Sequence, residues 1–137
     1  MTPAMPWIEV AAGVVFREGK ILISQRRSED HLGGLWEFPG GKLEQGESWE
    51  DCLHRELSEE LAIEVAADEL LFETKHEYPT KRILIRFYRC QWLRDEPQAL
   101  GCARFVWIGR EELQHYTFPP ADEPLVRLLT RADILWK

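Results

Sequence analysis

The chain has 137 residues, 45% hydrophobic and 11% aromatic, enough to bury a core within one domain and too apolar for a disordered acidic segment. Its formal charge of −7, from 24 acids against 17 bases, excludes a surface that coats duplex nucleic acid, because such binding is driven by basic patches. The three cysteines, Cys52, Cys90 and Cys102, show no C-x-x-C spacing and read as reduced thiols of a cytoplasmic protein; no stretch has the pattern of a signal peptide or the length of a membrane span.

Taken in chain order, the apolar, partly β-branched run Trp7 to Phe16 predicts a strand. Glu18-Gly19-Lys20 is a turn, and Ile21 to Gln25 returns as a second strand. Arg26-Arg27 opens a polar loop through Asp30, His31 and Gly33-Gly34. The two arginines are either solvated or an anchor for substrate phosphates, which Arg suits by its two-pronged geometry. From Leu35 to Gly41 the chain is a loop in which Pro39 biases Phe38 to extended backbone. Gly40 and Gly41 let a backbone carbonyl approach an ion, although Gly-Gly-Lys lacks the phosphate-loop spacing and Lys42 reads as solvated.

Ser48, with Asp51 three residues on, starts a helix that meets no Pro or Gly between Trp49 and Leu61. Leu53, Leu57 and Leu61 form its apolar stripe, and Glu56, Glu59 and Glu60 fall within an arc of roughly 100° beside it. Three carboxylates on one face repel one another. They are either a solvated acidic surface or oxygen ligands for a hard divalent cation.

Beyond the helix, Ile63 to Val65 reads as a short strand and Asp68-Glu69 as a turn. Leu70 to Tyr78 and Arg82 to Leu93 form a hairpin about Pro79-Thr80-Lys81, whose second arm alternates Ile83, Ile85 and Phe87 with Arg82, Leu84 and Arg86. After the loop Arg94 to Gly101, Arg104 to Ile108 is a last strand and Arg110 to His115 a short helix. Pro124 to about Leu135 is a longer helix with Leu125, Leu128 and Leu129 inward. The fold class is α/β, a mixed sheet flanked by two or three helices. The histidines at 31, 54, 76 and 115 lack zinc-site spacing, and no G-x-S-x-G occurs.

The stretch Gly41, Glu47, Arg55-Glu56-Leu57, Glu59-Glu60 and Ile63 resembles the signature of the Nudix (MutT-like) hydrolases at eight of its nine positions. The ninth is Gly in the family and Ala62 here, a departure that touches the helix C-cap and not the acids. The resemblance implies a Nudix α/β/α sandwich spanning 1–137 as a single domain, with Mg²⁺ (Mn²⁺ possible) as cofactor. Glu59 and Glu60 are then the main metal ligands, Glu56 a further ligand or general base, and the Gly40 carbonyl completes the shell. Gly41, Glu47 and Arg55 are structural, with Glu47 and Arg55 paired and Asp51 helping to orient Arg55. Substrate contacts fall at Arg26, Glu37, Phe38 and Asp122. MutT-like enzymes add an acid from the loop before the last strand. Here Ala99 to Ala103 has none, and Asp95 and Glu96 lie early in the loop.

Asp122 is either the N-cap of the last helix or, if Glu123 caps instead, a side chain free to read a base. As an ionised carboxylate it would only accept hydrogen bonds, favouring guanine or cytosine edges over thymine. The expected reaction is Mg²⁺-dependent hydrolysis of oxidised or modified purine or cytosine (d)NTPs such as 8-oxo-dGTP to monophosphate and pyrophosphate. Alternatives are a dinucleoside polyphosphate, ADP-ribose or capped RNA as substrate, or a non-catalytic nucleotide binder. The partner is a small nucleotide, with no duplex nucleic acid and no membrane, and the protein is a monomer or homodimer.

Overall fold

A computed structural model describes residues 5–136. Strand β1 (Trp7–Arg17) is the spine of the sheet, and its alternation sends Ala12 and Val14 to one face and Ala11 and Val15 to the other. The Glu18-Gly19 turn, both residues at positive φ, returns the chain antiparallel as β2 (Lys20–Gln25). Two short strands follow: β3 (Trp36–Glu37) pairs with β2, and β4 (Gly40–Lys42) pairs with Val10 to Ala12 of β1. The hairpin of β5 (Glu64–Tyr78) and β6 (Lys81–Arg94) adds its second arm parallel to β1, and β7 (Arg104–Ile108) pairs with β2. The path is β3-β2-β1-β6-β5, so β5 is an edge.

Helix α1 (Trp49–Leu61) covers one face, burying Leu53, Leu57 and Leu61 against Ala11, Val15 and Leu22. Its start is capped as expected, with the Asp51 amide donating to Ser48 Oγ at 3.1 Å. Two 3₁₀ turns (Arg110–His115 and Pro120–Asp122) and α2 (Glu123–Arg131) cover the other face, placing Leu113, Leu125 and Leu129 over Val14, Ile21 and Phe87. Helix, sheet and helix therefore form the expected α/β/α sandwich. All three cysteines are buried free thiols. Among the described residues, no helix is long and apolar enough to cross a membrane.

Four expectations need correction. Asp68-Glu69 is no turn: β5 runs through it, and register shifts between Ala67 and Phe72 absorb the extra residues while pairing with β6 continues on both sides. The stretch read as loop before the helix contains β3 and β4, because β1 and β2 supply their hydrogen-bond partners. Arg110–His115 winds as 3₁₀ and not as α-helix. The last helix stops at Arg131 and gives way to a 3₁₀ turn (Asp133–Trp136); within α2, Leu125 and Leu129 are fully buried and Leu128 only partly.

The end of α1 carries the mark of the departure at position 62. Ala62 sits at φ 58° and ψ 29°, left-handed backbone that glycine adopts without strain. Ala62→Gly should stabilise the fold by about 0.5–1 kcal/mol, since relief of the left-handed strain outweighs the added freedom of the unfolded chain. Thermal melts should show a rise of roughly 2–5 °C. An unchanged or lower melting temperature would mean that Ala62 is held without strain.

Candidate active site

Arg55, one turn before the end of the acidic face, is the hub of the loop-to-helix junction. Its Nε and Nη2 donate to the two Glu47 oxygens at 2.7 and 2.9 Å, Nη2 also reaches the Lys42 carbonyl at 3.0 Å, and Nη1 reaches Glu56 at 2.8 Å and Glu59 at 3.3 Å. Its acidic partners among the described residues are Glu44, Glu47, Glu56 and Glu59, so the expected help from Asp51 is not seen. The Arg55 hydrogen bonds hold the Glu47 carboxyl down at about 2. This contribution to stability is fully present above the unfolded carboxylate range near pH 4.5 and is lost as pH falls towards 2. Gly41 is part of the same junction, because a Cβ there would collide with the Glu56 carboxylate. Arg55→Lys should lower stability by about 1–2 kcal/mol together with the rate, because Lys cannot span both Glu47 oxygens. A large rate loss at unchanged melting temperature would instead give Arg55 a direct part in the chemistry.

The three acids of the helical face do not behave alike. Glu56 is 15% exposed and bonded to Arg55; Glu59 is 61% exposed and bonded to the same guanidinium. Glu60 turns into a pocket beside Gly40 and Gly41 and shares a hydrogen bond with Glu56. Burial, then the nearby Glu37 and Glu56 charges, push the Glu60 carboxyl up to about 9. An acid crowded by the carboxylates Glu37 and Glu56 suits a hard divalent cation. Among the described residues, no three His, Cys, Asp or Glu side chains already stand in a ligand arrangement, and Glu59 is bonded to Arg55. The loop before β7 adds no acid: Glu96 pairs with Arg17 on the surface, and Asp95 lines a separate depression with His54 and Ser58.

The pocket over Glu60 has a volume of about 240 Å³ and is lined also by Arg26, Glu37, Gly40 and Asp122. Arg26 Nη1 pairs with Glu37 at 2.8 Å, and its Nε donates to the His31 carbonyl at 2.6 Å. Phe38 lines the pocket from within the core, 3% exposed, stacked on Phe118 at 5.2 Å and edge-on to Phe87 at 5.8 Å. Asp122 precedes α2 in the N-cap position, yet its side chain makes no capping hydrogen bond. It is 6% exposed, and burial, with the Glu37 charge adding, pushes its carboxyl up to about 8. Burial thus favours the protonated form of Asp122, which can donate as well as accept, over the accept-only carboxylate expected from the sequence.

Sequence reasoning missed His31, Tyr78 and Lys81, which also line this pocket. Tyr78 meets His31 edge-on at 5.3 Å and contacts the Ala121 backbone, so the β5–β6 turn leans across the sheet to the loop after β2. The aromatic residue and the lysine flanking Pro79-Thr80 were the available signal.

Residues 11–128 match the profile of the NUDIX domain. The chain belongs to the Nudix hydrolase family, as a MutT-like enzyme acting on nucleotide pyrophosphate bonds. It is 38% identical over 122 residues to the CTP pyrophosphohydrolase of Escherichia coli (strain K12), covering 89% of this chain and 90% of that protein. To the 8-oxo-dGTP diphosphatase of the same strain it is 32% identical over 128 residues, 93% of this chain and 99% of that protein. The solution structure of the E. coli ORF135 protein superposes with a TM-score of 0.79 at 36% identity, covering 96% of this chain and 98% of that one.

Proposed function

We propose that the protein is a Mg²⁺-dependent pyrophosphohydrolase of oxidised or modified purine or cytosine (d)NTPs, such as 8-oxo-dGTP, releasing the monophosphate and pyrophosphate. The observation that carries this reading is one pocket lined by both Glu60, crowded by Glu37 and Glu56, and the buried Asp122. Relatives bearing the names 8-oxo-dGTP diphosphatase and CTP pyrophosphohydrolase support both bases.

Glu60, Glu56 and the Gly40 carbonyl would hold the cation, with Glu59 joining on leaving Arg55. When bound, the ion supplies charge neutralisation of the phosphate oxygens and a more acidic water. Glu56, oriented by Arg55, is a further oxygen ligand or the acceptor of the attacking water's proton. Arg26 Nη1 exchanges Glu37 for a substrate phosphate oxygen. In the same pocket, a protonated Asp122 carboxyl would match an edge with a donor beside an acceptor. 8-Oxoguanine offers N7-H beside O6, whereas guanine offers two acceptors there; cytosine offers N4-H₂ beside N3. Incubating the protein with a panel of nucleotides and Mg²⁺ or Mn²⁺, and measuring pyrophosphate, tests the reading. It expects 8-oxo-dGTP or cytosine triphosphates to exceed dGTP in kcat/KM, and absence of pyrophosphate from every triphosphate would overturn it.

A further inference from the structure

The loop between β6 and β7 brings no acid to the site, yet it is bonded to the turn of α1 that carries Glu60. Leu100 and Gly101 both donate their amides to the Glu60 carbonyl at 3.0 Å, and Gln98 donates to the Leu61 carbonyl at 2.8 Å. These carbonyls lie in the last turn of α1, where an α-helix has no donors of its own left for them. Gly101 lies so close that a Cβ there would stand 3.0 Å from Glu60 Cγ and 3.2 Å from its Cα. The loop is in turn fastened from the other side. Arg27 Nη2 donates to the Leu100 carbonyl at 2.8 Å, and the Ala103 amide donates to the Gln25 carbonyl at 2.9 Å.

We propose that Arg27 is a positioning residue, which latches the 98–101 loop onto the end of α1 and thereby fixes the backbone from which Glu60 reaches the pocket. The inference rests on Glu60 being a cation ligand. The neighbouring arginines divide the work: the Arg26 guanidinium faces the pocket, while that of Arg27 is spent on a loop carbonyl. Helix ends open before helix middles, and α1 already ends on a left-handed alanine. A ligand whose supporting backbone loosens loses affinity, because the site must be held to within about 0.5 Å.

Charge and latch make opposite predictions, which makes the test sharp. Arg27 is a cation whose field is felt at Cys102 together with that of Glu60. Deleting a positive charge near a cation site, by charge alone, would tighten cation binding. Loss of the latch weakens it. Mn²⁺ binding to the nucleotide-free protein, followed by electron paramagnetic resonance, should be compared for wild type, Arg27→Ala, Arg27→Lys and the control Glu60→Gln. Arg27→Ala should weaken Mn²⁺ binding by roughly 3–10-fold, less than the 10–100-fold of a group bonded directly to a ligand side chain, and Arg27→Lys should recover part of it. The metal-free melting temperature should move by no more than about 2 °C, as for loss of one exposed hydrogen bond. Unchanged or tighter Mn²⁺ binding in Arg27→Ala overturns the latch, and so does a weakening matched by a large fall in melting temperature. If wild type binds no Mn²⁺, or Glu60→Gln binds it as well as wild type, the reading of Glu60 as a ligand is what fails.

Discussion

Glu60→Gln is expected to lower kcat/KM by at least ~10²-fold while the metal-free protein melts at the same temperature or higher. The two effects have opposite signs because Glu60 is placed for a partner that folding does not supply. Its carboxyl shares a hydrogen bond with Glu56, feels Glu37, and is pushed up to about 9 by burial and those charges. An amide of the same shape removes an acid from an acidic cluster, so the fold loses no favourable ion pair. The cation loses a charged oxygen. Glu59→Gln should cost less than Glu60→Gln, because Glu59 is 61% exposed and joined to Arg55 at 3.3 Å. Kinetics at saturating Mg²⁺ and melting curves in chelator decide the matter. Full activity of Glu60→Gln at saturating Mg²⁺ would remove the acid from the proposed site, and a lower melting temperature would show that it serves the fold.

What was legible in the chain beforehand divides along physical lines. The bounds of α1, its Ser48 cap and its Leu53-Leu57-Leu61 stripe depend on contacts within a few residues, and they were readable as such. The Glu47–Arg55 pairing came with the family resemblance, and the structure shows it as a bidentate contact. The course of β5 was not readable, because Asp68-Glu69 has turn composition and only the partner residues of β6 hold it in the ladder. Strands β3 and β4 are too short to carry a period and exist through β1 and β2. Tyr78, Lys81 and His31 reach the pocket only because separate loops lean together. The environment of Asp122 was not readable for a related reason: composition reveals a carboxyl, whereas the proton it favours depends on burial in a folded core.

That proton leads to the second large effect. Asp122→Ala should lower kcat/KM for 8-oxo-dGTP by about 1–3 kcal/mol, the scale of a lost hydrogen-bonding partner, and should change that for dGTP much less. The ratio between the two substrates therefore shrinks. The pH dependence distinguishes donation from acceptance. If the Asp122 carboxyl reads the base, then with its value raised to about 8 it would donate to O6 of 8-oxoguanine near neutral pH and lose that donor as pH rises through 8, where an ionised oxygen would face O6 and repel it. Discrimination in favour of 8-oxo-dGTP should fall over this window. Stability follows the same sign: a raised carboxyl contributes fully below the unfolded value near 3.8, and the contribution is lost as pH climbs to about 8. Asp122→Asn keeps a donor and an acceptor at every pH. It should match wild type near pH 7, hold its discrimination above pH 8, and flatten the pH dependence of the melting temperature. Were Asp122 only a helix cap, Asp122→Ala would slow all nucleotides by one factor and lower the melting temperature, and neither variant would alter the pH profile of discrimination. The absence of any capping hydrogen bond from its side chain favours the base-reading outcome.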